Sequence, residues 1–149
     1  MTHTRTRLAA TALAAGLSAT LGSAALADTP SLVTLVTAEN PQTQLMAMVL
    51  TTQAVEQGES VHMLLCGPGG DIALSDAPES ATTGQPPRDM SPQGMLQMLI
   101  GRGVTVEVCA IYLPGMGADA DALIDGVGVA QPPAMAETML GEDTRVWSF

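Results

Sequence analysis

Short apolar, β-branched runs alternate along this chain with stretches whose apolar residues recur every three or four positions. Ser31–Thr37 reads as a first strand. Asn40 and Pro41 then open a helix, because proline suits the first helical position. Leu45, Met46, Met48, Val49, Thr52 and Val55 form its apolar stripe, and it stops near Gln57 at Gly58. Val61–Cys66 is a second strand, followed by the loop Gly67-Pro68-Gly69-Gly70 and a short helix over Asp71–Asp76. Ala77–Met90 is rich in Pro, Ser, Thr and Gly and is expected to be a mobile surface loop. Ser91-Pro92 caps a helix that runs through Ile100 to Gly101-Arg102-Gly103. Val104–Cys109 is a third strand, with Ala110-Ile111-Tyr112 a possible extension. A short helix over Ala118–Ile124, a strand at Val127–Val129, a helix from Pro132 to Leu140 and a strand over Thr144–Phe149 complete the pattern.

Strands alternating with helices, the strands apolar along most of their length, describe a mostly parallel sheet covered on both faces. The expected fold is an α/β three-layer sandwich, flavodoxin-like, with about five strands. In that order the first strand lies between the second and third. A dinucleotide-binding domain does not fit, because no Gly-x-Gly-x-x-Gly follows the first strand.

The N-terminus changes every later count. Arg5 and Arg7 precede an Ala/Leu-rich run from Leu8 to Leu26, and Ala25-Leu26-Ala27 has the A-x-A form of a cleavage site. Residues 1–27 therefore read as a signal peptide and 28–149 as a single domain, exported to the periplasm or secreted. Polar and small residues interrupt the run, which argues against a membrane anchor. No later stretch is long and apolar enough to insert.

After cleavage the basic residues are Arg88, Arg102 and Arg145, against fifteen acids and no lysine. Nucleic-acid binding is excluded by that balance, since it needs basic surface to displace counterions. Adsorption to anionic lipid is disfavoured for the same reason. Tyr112, Trp147 and Phe149 are the only aromatics, so the core must be aliphatic and methionine-rich.

Candidate chemistry centres on Cys66 and Cys109, the only cysteines. Each ends a strand, where reacting groups gather in parallel α/β sheets. A thiol reacts as thiolate and needs a cation, a metal or a helix N-terminus to lower its pKa. For Cys109 the helix following Leu113-Pro114 is the available source. The alternative is a buried, inert thiol. Gly67–Gly70 forms either a tight turn, the better reading, or an anion-binding nest. With the first strand between theirs, the two cysteines would be about two strand spacings, ~9.6 Å, apart. Two free or transiently paired thiols are therefore expected in preference to a disulfide.

Other clusters carry less. His62 is the only histidine after the leader, too few for a triad or a multi-histidine metal site. The methionines have the soft donors for Cu(I) together with Cys66 and Cys109, but their helical spacing fits core packing better. Asp119, Asp121 and Asp125 lack an EF-hand pattern. No resident metal or cofactor is expected.

Gly103-Val104-Thr105-Val106-Glu107-Val108-Cys109, a strand and cysteine following a helix that ends in glycine, resembles the DsrE/DsrF-like family, which includes YchN-type proteins. Leu32–Thr37, Pro92–Ile100, Ala118–Gly126 and Thr144–Phe149 match the flanking elements. The resemblance implies a small α/β sandwich, often a homo-oligomer. It also implies that the cysteine at Cys109 carries sulfur as a persulfide, exchanged with a donor or acceptor protein. The expected function is thus an exported sulfur carrier acting through Cys109, with Cys66 a possible resolving thiol, rather than a high-turnover enzyme. A non-catalytic oligomeric binding module with structural cysteines and a soft-metal carrier are the alternatives.

Overall fold

The computed structural model describes residues 30–149; the expected leader and its cleavage site lie outside them. Five strands form one sheet: β1 (Leu32–Val36), β2 (Val61–Leu65), β3 (Thr105–Val108), β4 (Val127–Val129) and β5 (Arg145–Ser148). All four pairings are parallel, and the spatial order is β4-β3-β2-β1-β5. The α/β class, the strand count and the parallel sheet agree with the sequence reading. The order of neighbours corrects it. Of the first three strands β2, not β1, is the middle one, because the chain winds outward from β1 through β2 and β3 to β4. Only then does it return to place β5 on the far side of β1.

Five helices accompany the strands: α1 (Pro41–Glu56), α2 (Glu79–Thr82), α3 (Pro92–Gly101), α4 (Tyr112–Met116) and α5 (Pro132–Met139). The caps are those the sequence announces. The Asn40 side chain accepts from the backbone N–H groups of Gln42 and Thr43, and Ser91 accepts from Gly94. Pro41 and Pro92 stand at the first helical positions. Gly58 and Gly103 follow their helices with φ of 90° and 88°, a conformation that strongly favours glycine.

Departures cluster in the connections. The short helix expected at Asp71–Asp76 is a 3₁₀ segment over Gly67–Ala73. The segment expected to be a mobile loop contains α2 and a bridge between Gln85 and Met90. The helix expected over 118–124 shrinks to a 3₁₀ turn at Ala120–Ala122, with the Asp119 carboxylate accepting from the Asp121 backbone N–H. β3 ends at Val108 rather than reaching Tyr112, which opens α4.

The sheet is buried unequally. Leu32 and Val36 of β1, Met63 and Leu65 of β2, and Val106 and Val108 of β3 join Met48 of α1 and Leu96 and Leu99 of α3 in the main core. On the opposite face Leu64, Ala130 and Met135 form a small second cluster with Leu35 and Met139. His62 and Glu107 share that second face, diagonally across β2 and β3, where His62 is in register with Thr105 and Glu107 with Leu64. His62 Nε2 lies 2.9 Å from Glu107 Oε2, the two side chains 15% and 25% exposed.

The stripe of α1 is turned from its expected setting. Its buried residues are Gln44, Ala47, Met48, Thr51, Thr52 and Ala54. Met46, Val49 and Leu50 remain 51%, 37% and 39% exposed. Small residues let the helix approach the sheet closely, and every buried polar group finds a partner. The Gln44 amide donates to Ala38 O at 2.8 Å, Thr51 and Thr34 hydroxyls meet at 3.0 Å, and Thr52 donates to Met48 O at 2.9 Å. Buried polar groups satisfied in this way cost little, which frees the larger apolar side of the helix to face outward.

Candidate functional site

Cys66 and Cys109 directly follow β2 and β3, and both continue the ladder. The Cys66 N–H donates to Val36 O at 2.9 Å, and the Cys109 N–H donates to Leu65 O at 2.9 Å. Since Leu65 and Val108 are register partners, the cysteines are the next pair across adjacent parallel strands. Their Cα atoms lie 5.1 Å apart, and the sulfurs are bonded. That separation falls within the ~4.4–6.8 Å range of bridged cysteines. The structure therefore corrects the expectation of two unbridged thiols. The reasoning that disfavoured the bridge placed β1 between β2 and β3; once β2 and β3 are neighbours, a single strand spacing of ~4.8 Å separates the pair.

The disulfide sits over the thinly covered face. Both cysteines pack against the cluster of Leu64, Ala130 and Met135, and both remain partly exposed. Each is followed by a helical turn: Cys66 by the 3₁₀ segment Gly67–Ala73, Cys109 after two residues by α4. The sequence reading offered Cys109 a helix end, that of the helix after Leu113-Pro114. Cys66 directly flanks its helical turn and Cys109 stands two residues ahead of its own, so nearness to a helix end does not favour Cys109. Among the described residues no group of three or more His, Cys, Asp or Glu side chains is arranged to hold a metal ion.

The two loops carrying the cysteines are tied together. The Tyr112 hydroxyl donates to Asp71 Oδ1 at 2.6 Å, joining the residues after Cys109 to those after Cys66. Burial first, and then the hydrogen bond and negative charge of Asp71, push the Tyr112 phenol far above its usual value, so it remains a neutral donor. Glycine is required beneath this brace. A Cβ on Gly70 would lie 2.6 Å from the Tyr112 ring, and one on Gly69 would lie 2.2 Å from Val36 O. Gly69 and Gly70 are thus packed closely against Val36 and Tyr112. Sequence reasoning missed the Tyr112–Asp71 link. The available signal was the placement of the lone tyrosine three residues after one cysteine and an aspartate five after the other.

The other singled-out residues lie elsewhere. His62 is paired with Glu107 near the middle of the sheet rather than at the cysteines. Met48, Met63, Met95 and Met135 are buried core residues, and Met95 also lines a groove together with Met46, Met90 and Met98. Met135 and Met139 share the small cluster with Cys66 and Cys109, but the bridged sulfurs offer no thiolate to a metal.

No protein-family model matches the chain, and no curated protein matches it in sequence. Solved structures do. The ychN protein from E. coli superposes with a TM-score of 0.63 at 21% identity, over 79% of this chain and 97% of that one. A protein of unknown function from Methanobacterium thermoautotrophicum gives 0.55 at 19% identity, over 79% and 98%. The resemblance to YchN-type proteins read from the strand before Cys109 therefore holds at the level of the fold, across most of the chain.

Proposed function

We propose that the chain is an exported thiol protein that takes up sulfane sulfur as a persulfide on Cys109 and releases it with the help of Cys66. The observation that carries this reading is the placement of both cysteines at the carboxyl ends of adjacent parallel strands, within bonding distance of each other. Cys109 is assigned the carrier role because it occupies the position of the cysteine in the matching strand motif; Cys66 is the only other thiol within reach.

The chemistry begins from the reduced pair. An external thiol reductant supplies two electrons, opening the disulfide to two thiols and leaving as its own disulfide. The Cys109 thiolate then attacks a sulfane sulfur. A sulfur–sulfur bond of the donor breaks, the donor leaves as a thiolate, and Cys109 holds the transferred atom as a persulfide. An acceptor thiolate can take that outer sulfur, returning Cys109 to its thiolate. In the absence of an acceptor, Cys66 attacks the inner sulfur, reforms the Cys66–Cys109 bond and expels hydrosulfide. Sulfur and electrons balance in each branch, and the second makes the disulfide the discharged state. Homo-oligomeric assembly, a sulfur-donor or acceptor protein and release after Ala27 belong to the same proposal.

One observation favours a second reading. A bridge between adjacent strands, braced by Tyr112 and Asp71, is also what a purely structural staple looks like in an exported binding module. Mild reduction followed by incubation with polysulfide, read by intact and peptide mass, separates the two. The carrier predicts a one-sulfur adduct on Cys109 of the folded protein, and in Cys66→Ser an adduct that persists. Failure of the bridge to reduce without unfolding, or two thiols inert to polysulfide, selects the staple. Preferential loading of Cys66 would reverse the roles.

A further inference from the structure

Between α1, α3 and the segment 83–90 lies an open groove of about 780 Å³, within the size range of small-molecule sites. Leu45, Met46, Val49, Met90, Met95 and Met98 give it an apolar lining. It is here that the outward-turned side of α1 ends up: Met46 and Val49 are large apolar residues left in contact with water although a buried setting on the same helix was taken by Gln44 and Thr51. Methionine suits such a surface, since its flexible thioether adapts to an occupant.

Charge selects the occupant. Two of the three basic residues that follow the expected leader, Arg88 and Arg102, line this one groove of a strongly acidic chain. Arg102 closes one end, where it pairs with Glu56 across the C-terminal ends of α3 and α1 at 3.1 Å. Arg145 pairs with Glu59 elsewhere. Arg88, on the loop wall, has no carboxylate within 4.0 Å among the described residues, although acids outnumber bases threefold in the chain. A guanidinium beside an apolar trough matches a molecule with an aliphatic body and one carboxylate, which it can hold with two parallel hydrogen bonds. We propose that this groove binds a small amphiphilic carboxylate, its chain along the methionines and its head on Arg88. The cysteines take no part in this site, so its failure leaves the sulfur-carrier reading standing, and the converse.

The probes are octanoate, octanol and octyltrimethylammonium, titrated into the disulfide-bonded protein and followed by NMR of methyl-labelled methionines. Octanoate is expected to shift Met46, Met90, Met95 and Met98 while leaving Met135, on the other face of the sheet, unmoved. It should bind at least about tenfold more tightly than octanol, and the cation most weakly. Arg88→Gln should remove that preference and leave octanol binding as it was, with unchanged core methionine signals showing that the variant is folded. Equal binding of octanoate and octanol, an undiminished octanoate affinity in Arg88→Gln, or groove methionines that stay still at millimolar octanoate would each overturn the proposal. So would groove signals that move with protein concentration alone in step with self-association, since the occupant would then be a second copy of the chain.

Discussion

One face of the sheet is sealed and the other is only patched. On the first, α1 and α3 lay sixteen and ten residues of helix over β1, β2 and β3, and Met48, Met63, Leu65, Leu96 and Leu99 are all completely buried or nearly so. On the second, α5 covers with eight residues, of which only Met135 is buried, and the His62–Glu107 pair occupies sheet positions on that face. The difference separates stability from chemistry. Aliphatic bulk accumulates where two helices can cover it, whereas the bridged cysteines pack over the lightly covered side and stay partly exposed. A parallel sheet normally has both faces covered, so the thin face is also where assembly with another chain would add most burial.

Removing core volume should expose this asymmetry most strongly. Leu96→Ala is expected to cost ~2–5 kcal/mol, the usual range for a fully buried leucine, because helix and sheet close over it on all sides. Met135→Ala should cost less, since α5 can settle toward the sheet. Urea unfolding of the oxidised proteins measures both, and equal losses would break the contrast between the faces.

Opening the disulfide is the next largest effect expected. The bridge closes a segment of 43 residues, for which loss of the cross-link should cost about 2–4 kcal/mol, by whatever balance of entropy and enthalpy such links act. The parent protein in reductant and the Cys66→Ser, Cys109→Ser double variant should unfold at the same urea concentration. A reduced parent as stable as the oxidised one would mean that the thin face owes nothing to the bridge.

The Tyr112–Asp71 brace should contribute about 1.5–3 kcal/mol, the range for a hydrogen bond to a charged group, so Tyr112→Phe tests it by the same unfolding measurement. Its pH dependence has a definite sign. The folded state raises the phenol pKa, so it binds that proton more tightly than the unfolded chain does. The stabilisation is complete below the ordinary tyrosine value of ~10 and fades as pH climbs toward the raised one. Because this is the only tyrosine, phenolate absorbance reports it directly. Ionisation near the ordinary value in folded protein would show that the two cysteine loops are not held together as described.

The smallest effect belongs to the His62–Glu107 pair on the thin face. Glu107→Gln is expected to change stability by no more than ~1 kcal/mol, since both side chains retain some contact with water. A larger loss would mean that this face is more deeply buried in solution than it is in the isolated chain, as an interface between copies would make it.

Much of the molecule was legible from local pattern. The apolar runs Ser31–Thr37, Val61–Cys66 and Val104–Cys109, the Asn40-Pro41 and Ser91-Pro92 helix starts, and the glycines after α1 and α3 are decided by neighbours in sequence through strand propensity, capping and left-handed backbone. So was the position of both cysteines at strand ends. Three features were settled only by the tertiary structure. The order of strands depends on which way the chain winds after each crossover, a choice that leaves no trace in any single strand, and it alone made Cys66 and Cys109 neighbours. The face that α1 buries depends on partners distant in sequence: Thr34 receives Thr51, and Ala38 and Pro68 receive Gln44, so polar residues went inward and Met46, Val49 and Leu50 outward against the hydrophobic pattern. The Tyr112–Asp71 bond spans 41 residues and exists because adjacent strands deliver both loops to the same edge. Local sequence determines which elements form and where they end, because those energies are summed over neighbouring residues. The pairing of strands and the choice of buried face are set by long-range burial and hydrogen bonding, which become defined only when the elements meet.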